Sequence, residues 1–310
     1  MPVNIKIGIL GGDKRQLVVA DCLSKRYECA MWGFASLWGT ADEKYMQNTI
    51  RCADWESAVK CAEAVILPLP ISRDGVRLSC PLASSVGEES CVRLTEICEK
   101  MSVGSVLLGG MIPPSLKRFA AEHGIKTFDY YDSEELQIKN AVPTAEGAIS
   151  ACIENIPYTV SGMRTAVFGY GRIGRTLAMR LRALGAEVYA VARSRRDLSW
   201  AKCDGCIPTT IDEYKAFPVA CEAVFNTIPS LIFDPLLIDK LPPDTVIFEL
   251  STGCVGVDMQ YAREHGIKVI PLPSLPGKTS PISAGEIICS VVRAYVDERF
   301  LPEVTGGGDI

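Results

Sequence analysis

The sequence predicts an α/β protein with two doubly wound parallel-sheet domains, of which the second is a Rossmann dinucleotide-binding domain. Short, β-rich apolar runs alternate with helical patterns along the whole chain of 310 residues, which is typical of parallel sheets with crossover helices. Similar local patterns recur in the same order in both halves. The second half also contains a glycine triplet at the spacing of a dinucleotide-binding turn.

Five strands are predicted in each half. Those of the first half are Ile5–Leu10, Cys29–Phe34, Ala64–Leu67, Ser105–Leu108 and Lys126–Tyr130. Those of the second half are Thr165–Gly169, Glu187–Ala192, Ala223–Thr227, Thr245–Leu250 and Lys268–Leu272.

Three pairs of segments indicate that the halves are related. They are residues 7–12 with 166–171, residues 65–70 with 224–229, and residues 121–126 with 263–268. The last pair places His123 and His265 in the final turn of a helix, each followed by a glycine suited to a left-handed C′ position. Three matches in order favour two similar domains.

The predicted boundary between the domains lies at residue 143. Residues 1–142 form a flavodoxin- or Rossmann-like substrate domain, and residues 143–310 form the NADP-binding Rossmann domain. Residues 143–147 read as a helix start with Thr144 as its cap. The final helix, about Ala284 to Phe300, is amphipathic, and we expect it to pack back across the domains.

Composition excludes several classes of function. Hydrophobic residues make up 48% and charged residues 22%, and the formal charge is −5 with no long basic run, which argues against a nucleic-acid partner. There is no apolar stretch of about 18 residues, which a membrane span would need. The N-terminus lacks the pattern of a signal peptide. We therefore expect a cytoplasmic protein.

The cysteines predict a reduced protein without a metal. There are 13 of them, and most, such as Cys22, Cys152 and Cys289, lie in apolar periodic segments, where we expect reduced thiols acting as small core residues. Cys203 and Cys206 form one Cys-x-x-Cys pair. No second pair of ligands follows at zinc spacing, so no metal site is predicted.

The glycine triplet predicts the cofactor site. It lies between a predicted strand and a helix, and a second strand completes a βαβ unit. In this context the first glycine permits a tight turn, the second allows the backbone to approach a pyrophosphate, and the third permits close packing of helix and strand. The alternative is a glycine-rich turn that binds nothing. The predicted cofactor-binding residues here are Gly169, Tyr170, Gly171, Arg172, Ile173 and Gly174.

The end of the second strand favours NADP. An NAD-specific site would place a carboxylate there for the ribose 2′-hydroxyl, whereas this chain has Arg193, Ser194 and Arg195. Guanidinium groups and a hydroxyl suit a 2′-phosphate. A solvated basic turn is the alternative, and NAD remains a second candidate cofactor. Thr227, Ile228 and Pro229 follow a later strand and are predicted to lie near the nicotinamide ribose.

The two histidines argue against a histidine base, because both read as helix C-terminal residues. The polar residues that remain near strand ends and the predicted interdomain helix are the candidates for chemistry, with ordinary solvated helix surface as the alternative for several of them. The catalytic candidates are Asn140, Thr144, Glu146 and Lys278, and the substrate-binding candidates are Arg73, Asp74 and Ser280. For the Pro276–Pro281 segment, which carries Lys278 and Ser280, a plain Pro/Gly loop is an equal alternative.

Several segments together resemble the family formed by the A subunit of dipicolinate synthase. They are Gly11–Arg15, Leu67–Gly75, Asn140–Ala148, Phe168–Arg175 and Leu275–Pro281. The resemblance covers the chain up to about Phe300. One departure is the segment from Ser251 to Asp258, where the family would have more glycine and serine; this puts any role of that loop in doubt.

The resemblance implies an activity and a partner. The activity is oxidation of dihydrodipicolinate, or of its hydrated tetrahydro precursor, to dipicolinate in spore formation, with hydride transfer to the nicotinamide. The flavoprotein-like B subunit would be the partner, and a homo-oligomer is also compatible with the sequence. The absence of a suitably placed histidine fits this activity, because aromatising a ring that already holds an imine involves no alcohol oxidation.

Two other interpretations stay open. One is a 2-hydroxy-acid dehydrogenase or an adenosylhomocysteinase-like enzyme with the same two-domain layout. The other is a non-catalytic subunit that senses nucleotides and regulates a partner.

Overall fold

A computed structural model describes residues 3–83 and 92–301 of the chain. The chain forms two compact units. Unit 1 contains Met1–Gln137 and Pro281–Ile310, and unit 2 contains Ile138–Ser280.

The strands and helices alternate as the sequence predicts. The strands are β1 Val3–Leu10, β2 Tyr27–Trp32, β3 Ile50–Arg51, β4 Ala64–Ile66, β5 Val106–Gly109, β6 Lys126–Asp129, β7 Arg164–Phe168, β8 Glu187–Ala192, β9 Ile207–Thr210, β10 Ala223–Asn226, β11 Val246–Glu249 and β12 Lys268–Pro271. The helices are α1 Lys14–Ser24, α2 Trp55–Val59, α3 Leu94–Lys100, α4 Pro114–Glu122, α5 Glu134–Asn155, α6 Arg172–Ala183, α7 Arg195–Cys203, α8 Ile211–Ala216, α9 Pro235–Ile238, α10 Met259–Glu264, α11 Leu275–Thr279 and α12 Pro281–Phe300.

Each unit contains one six-stranded sheet, and the two sheets share one topology. The strand orders are β3-β2-β1-β4-β5-β6 and β9-β8-β7-β10-β11-β12, and all the pairs are parallel. In both sheets the chain reverses its direction of growth beside the first strand, which is where doubly wound folds bind ligands. The predicted fold class, two doubly wound domains, is confirmed.

One strand in each unit was not predicted from the sequence. The two strands, β3 and β9, occupy the same position in their sheets. β3 has only two residues, both exposed, and β9 contains Pro208 at the edge of its sheet. Both are edge strands, where solvation and proline are tolerated, and neither contains the apolar run by which the predicted strands are recognised.

The histidine-glycine pairs are confirmed as helix ends. His123 and His265 are the C-caps of α4 and α10, and the glycines that follow them have φ of 70° and 75°. Each imidazole Nδ1 lies within 3.0 Å of the carbonyl oxygen four residues earlier. Both rings also stack on an aromatic neighbour from the same helix, so the two histidines cap and cover helix ends.

The helix predicted to begin at Pro143 begins earlier, and the prediction that Thr144 is its cap is wrong. Helix α5 runs from Glu134 to Asn155 with Pro143 inside it. Leu136 is buried in the core of unit 1 and Ala145 in that of unit 2, so packing on both sides of the proline outweighs its local cost. The Thr144 hydroxyl donates instead to the Asn140 carbonyl, at 2.8 Å.

The domain limits therefore differ from the predicted 1–142 and 143–310. The division falls inside α5, between Gln137 and Ile138, and α12 belongs to unit 1 rather than to the cofactor-binding unit. Helix α12 packs against α1 so closely that a Cβ added at Gly285 would lie 2.6 Å from the Val18 Cβ. Val292 and Val296 of α12 complete the core of unit 1.

The prediction that Cys22 and Cys289 are reduced core thiols is wrong. The two residues, 267 positions apart in sequence, form a disulfide between α1 and α12. The close packing of these helices brings together two cysteines that nothing in the sequence pairs. Cys152 is free and fully buried in unit 2, as predicted.

Candidate cofactor site

The turn between β7 and α6 has the shape that a pyrophosphate needs. Gly169 has φ of +90°, a conformation that side chains disfavour. A Cβ added at Gly174 would overlap the carbonyl oxygen of Gly169, so only glycine allows the helix to pack this closely on the turn. At Gly171, in contrast, an added Cβ would meet no atom of the described residues within 4 Å. The second glycine therefore leaves the backbone open to a ligand.

The start of α6 offers N–H groups to that ligand. Gly171 is the N-cap and supplies no side-chain acceptor. The N–H groups of a helix's first turn have no partner within the helix, and they lie at the positive end of its dipole. In this 12-residue helix the groups belong to Arg172, Ile173 and Gly174, which were predicted to bind the cofactor.

The side chain of Tyr170 points away from this role. It is buried, and its hydroxyl donates to Asp204 at 2.9 Å. Burial raises the pKa of this phenol. The structure therefore leaves the backbone of Tyr170, rather than its ring, to contribute to the predicted cofactor site.

Asp204 ties the glycine turn to the end of α7. Arg175 Nε donates to the same carboxylate at 2.7 Å, and this hydrogen bond is the main cause that lowers the pKa of Asp204. The Arg175 guanidinium also lies 4.4 Å from the ring centre of Trp200. These contacts, which no sequence pattern had indicated, connect the first turn of α6 with the segment that follows the predicted 2′-phosphate site.

The end of β8 presents cations. Arg193 follows the strand directly and is exposed, as is Arg195 at the start of α7, and neither has an ion pair within the described parts of the chain. The Ser194 hydroxyl accepts from the Asp197 N–H at 3.4 Å and caps α7. Its proton remains available to a phosphate oxygen. The first carboxylate after β8 in sequence, Asp197, is paired with Arg196 at 3.2 Å.

The end of β10 contributes shape rather than free polar groups. The Thr227 hydroxyl donates to the Phe168 carbonyl at 2.7 Å and so closes the glycine turn from the side. Ile228 is half-buried and Pro229 is exposed. Both follow the strand at its carboxyl end, which is the edge of the sheet that binds nucleotides in this fold.

A buried polar cluster behind this edge was not predicted. Asn226 and Glu249 are fully buried at the ends of neighbouring strands, and the Asn226 amide donates to Glu249 at 2.8 Å. The Ser251 N–H donates to the other carboxylate oxygen at 2.7 Å. A Cβ added at Gly256 would overlap the Asn226 amide, so this glycine makes room for the cluster. The only sequence signal for it was polar residues at the ends of two apolar strands.

The equivalent turn in unit 1 is closed by the chain itself. The Gly12 N–H donates to the Ser79 carbonyl at 2.8 Å, and a Cβ added at Gly11 would lie 2.6 Å from the Cys80 sulfur. Asp13 caps α1, and its carboxylate accepts from the Arg15 N–H at 3.0 Å, a group that a phosphate would otherwise use. The two units thus share a topology, but the geometry for binding a pyrophosphate is found in unit 2.

The substrate-binding candidates of unit 1 lie in an exposed turn. Asp74 accepts from the N–H groups of Arg77 and Val76, both at 2.8 Å, and from the Ser72 hydroxyl at 2.9 Å. The two backbone groups are the main cause that lowers the pKa of Asp74 to about 2. This carboxylate therefore shapes its own turn, whereas the neighbouring Arg73 is exposed and has no ion pair among the residues described.

The catalytic candidates of unit 2 lie on two helices. Asn140 and Glu146 are on α5, and the exposed Glu146 pairs with Arg180 at 3.4 Å. Lys278 is exposed on α11, a short helix where the sequence indicated a loop, and Ser280 is its C-cap. Gly147 lets α5 and α11 approach, because a Cβ there would lie 2.9 Å from the Thr279 hydroxyl. The roles of all these residues stay predictions.

Two features are absent from the part of the chain that the structure describes. It contains no cluster of three or more histidine, cysteine, aspartate or glutamate side chains that could hold a metal ion. Within the same residues, no helix is both long and apolar enough to cross a membrane.

Two family models match the chain. The model of the N-terminal domain of the dipicolinate synthase A subunit matches residues 6–131. The model of the NAD-binding domain of D-isomer specific 2-hydroxyacid dehydrogenases matches residues 144–230, which include the glycine turn and the arginines after β8. Unit 2 is thus a nicotinamide dinucleotide-binding domain of the dehydrogenase type, which supports an oxidoreductase role.

Individual proteins match nearly the whole chain. The dipicolinate synthase A subunit of Bacillus subtilis (strain 168) is 29% identical over 300 residues, which cover 96% of this chain and 98% of that protein. The crystal structure of the Bacillus halodurans counterpart superposes with a TM-score of 0.85 at 26% identity, covering 96% of this chain and 99% of that one. The crystal structure of the Bacillus subtilis protein gives 0.83 at 29%, covering 96% and 97%. The resemblance predicted from the sequence segments is confirmed.

Proposed function

We propose that this chain, which resembles the A subunit of dipicolinate synthase along nearly its whole length, oxidises dihydrodipicolinate or its hydrated tetrahydro precursor to dipicolinate. NADP accepts the hydride and one proton is released, and the hydrated precursor also loses one water. The observation that carries the proposal is the open glycine turn of unit 2 beside a basic strand end. Such a turn suits a pyrophosphate, and the arginines suit one further phosphate.

The residues of unit 2 fit the cofactor. The N–H groups of Ile173 and Gly174 would receive the pyrophosphate, because the N-cap of this helix is Gly171, which has no side chain to accept from them. Arg193 and Arg195, which have no ion pair among the described residues, would bind the 2′-phosphate together with the Ser194 hydroxyl. When bound, the nicotinamide accepts a hydride from the substrate ring.

Specificity for NADP rests on charge at the end of β8. A 2′-phosphate carries up to two negative charges, and hydrogen bonds to charged groups contribute about 1.5–3 kcal/mol each. The first carboxylate after the strand in sequence, Asp197, pairs with Arg196, which lowers its repulsion of a phosphate. For NAD, the same arginines would face a neutral hydroxyl and contribute less.

The substrate needs cations or N–H donors, because it carries two carboxylates. Arg73 in unit 1 and Lys278 in unit 2 are exposed and available for this role, and Ser280 adds a hydroxyl. Asn140, Thr144 and Glu146 remain candidates for orienting the ring or moving its proton, with Glu146 restrained by Arg180. Asp74 is a weaker candidate, since its Oδ1 already accepts three hydrogen bonds and its Oδ2 pairs with Arg77 at 3.7 Å.

The resemblance also supports the biological setting. We propose that the chain acts in the cytoplasm during sporulation, together with a flavoprotein-like partner, the B subunit of the synthase. It would then serve as the dehydrogenase component of a two-component enzyme.

The test is direct turnover. The purified chain is mixed with NADP and enzymatically generated dihydrodipicolinate, with and without the flavoprotein-like partner, while NADPH and dipicolinate absorbance are followed. Equal rates of formation of the two products support the proposal, and a requirement for the partner supports the two-component enzyme. Reduction of NADP by a 2-hydroxy acid instead would favour the dehydrogenase alternative. Binding of NADP without turnover under any condition would favour a nucleotide sensor.

A further inference from the structure

A cavity lies in unit 1. Its volume is about 400 Å³, within the range of small-molecule sites. It opens at the carboxyl ends of β2 and β3. Its described lining includes Trp32 at the end of β2, Trp55 at the start of α2, and Trp38 between them.

The composition of this lining is unusual for the chain. The sequence contains four tryptophans, and three of them line this one cavity. Trp38 is 50% exposed, although a large apolar ring is normally covered. Indole side chains around a cavity favour planar ligands. Stacking on an aromatic side chain stabilises any nucleobase, because every base has a flat π-face.

The charges at the cavity favour a neutral ligand. Arg51 lines it, but its guanidinium pairs with Glu43 at 2.7 Å. Glu43 also accepts from the Gly39 N–H, next to Trp38, at 2.9 Å. It therefore holds the backbone beside Trp38 and balances the positive charge of Arg51. The remaining charge in the lining is the Asp54 carboxylate, which accepts from the Ser57 N–H at 2.7 Å. A carboxylate repels phosphates and carboxylates but accepts hydrogen bonds from hydroxyl groups.

The position of the cavity in the fold narrows the class of ligand further. Ligands of doubly wound sheets bind outside the carboxyl ends of the strands, and the end of the second strand receives the nucleoside half of a dinucleotide. In unit 1 that strand end carries Trp32. The adjacent turn is closed by Ser79 and Cys80, so it has no place for a pyrophosphate.

We propose that this tryptophan-lined cavity binds a neutral purine nucleoside, with the base stacked on indole rings and the ribose hydroxyls donating to Asp54. The site shares no described lining residue with the NADP site proposed for unit 2. It would make the chain responsive to a nucleoside as well as to its cofactor.

The experiment is a calorimetric and tryptophan-fluorescence titration of the intact chain with adenosine, at saturating NADP. Trp38→Ala is compared with Trp200→Ala, because these residues are 50% and 49% exposed and lie in different units. We expect saturable binding that Trp38→Ala weakens by about 5- to 100-fold and Trp200→Ala leaves unchanged. No saturable binding at millimolar adenosine would overturn the proposal, as would equal affinities in the wild type and Trp38→Ala.

A second set of ligands tests the role of Asp54. Adenosine should bind more tightly than its 5′-monophosphate and more tightly than pyridine-2,6-dicarboxylate. Removing the ribose hydroxyls, as in 2′,3′-dideoxyadenosine, should weaken binding to the wild type more than to Asp54→Ser, which keeps a helix cap but has no second carboxylate oxygen for the ribose. Tighter binding of either anion, or equal losses in both proteins, would contradict the assignment of a neutral nucleoside. Because none of these titrations measures turnover, a failure of the nucleoside proposal can be distinguished from a failure of the proposed function.

Discussion

A Cβ on Gly174 would overlap the carbonyl oxygen of Gly169, whereas one on Gly171, three residues earlier, would meet no atom of the described residues. Two glycines of one turn are therefore required for different reasons. One lets the helix pack on the strand, and the other leaves space in front of the helix. Substitutions at these two glycines can therefore distinguish effects on the stability of unit 2 from effects on its capacity to bind a cofactor.

Gly171→Ala should abolish tight NADP binding without lowering the melting temperature. Its φ of −82° suits alanine, and the added methyl group would occupy the space that a pyrophosphate needs. Gly174→Ala is the matched variant, and it should lose about 1–3 kcal/mol of unfolding free energy as well as binding. Urea unfolding and calorimetric titration measure both quantities. Normal NADP affinity in Gly171→Ala would show that the turn does not bind the pyrophosphate.

Arg193→Asp should shift cofactor preference from NADP towards NAD. The substitution removes a cation and adds a carboxylate where the 2′-phosphate is proposed to bind, so the ratio of the two dissociation constants should change by about 10- to 100-fold. Arg118→Asp, which makes the same charge reversal at an exposed residue of α4 in unit 1, is the control. An unchanged ratio in Arg193→Asp would refute the assignment.

Asp204→Asn should destabilise unit 2 by about 1 kcal/mol at neutral pH. It weakens the Arg175 ion pair, in which the arginine is partly exposed and hence screened. Because Arg175 lowers the pKa of Asp204 in the folded state, the contribution is complete above the unfolded pKa near 3.8. It disappears as the pH falls through the lower folded value. Urea unfolding of both proteins at pH 7 and near pH 3 should show the difference shrinking in acid, and a constant difference would argue against a role for this ion pair.

Reduction of the Cys22–Cys289 disulfide should lower the unfolding free energy of unit 1 by about 2–5 kcal/mol, since the bond closes a loop across 267 positions of sequence. Thermal unfolding with and without dithiothreitol measures the change. Cys22→Ser should show the lower stability and no response to the reductant, while Cys61→Ser, at an exposed free cysteine, should behave like the wild type. Mass spectrometry that finds both thiols free in the purified protein would contradict the bond.

The buried strands and the glycine turn could be predicted because their signals are local. Apolar runs mark β7 and β8. The positive φ of Gly169 and the contact of Gly174 with the Gly169 carbonyl are requirements within the turn itself. The histidine-glycine helix ends are local in the same sense. The edge strands β3 and β9 escaped because neither contains an apolar run.

Features that depend on distant contacts could not be predicted. The continuation of α5 through Pro143 depends on cores built from residues far along the chain. The pairing of Cys22 with Cys289 depends on the packing of α12 against α1. The closure of the Gly11–Gly12 turn depends on Ser79 and Cys80, which lie in a loop without a local signature.

The central claim is that unit 2 binds the pyrophosphate of NADP at the start of α6. A crystal structure of the chain grown with saturating NADP tests it most directly. We predict pyrophosphate oxygens within hydrogen-bonding distance of the N–H groups of Ile173 and Gly174, with the 2′-phosphate beside Arg193. A turn filled by a protein side chain, or a dinucleotide bound elsewhere on the chain, would contradict the account.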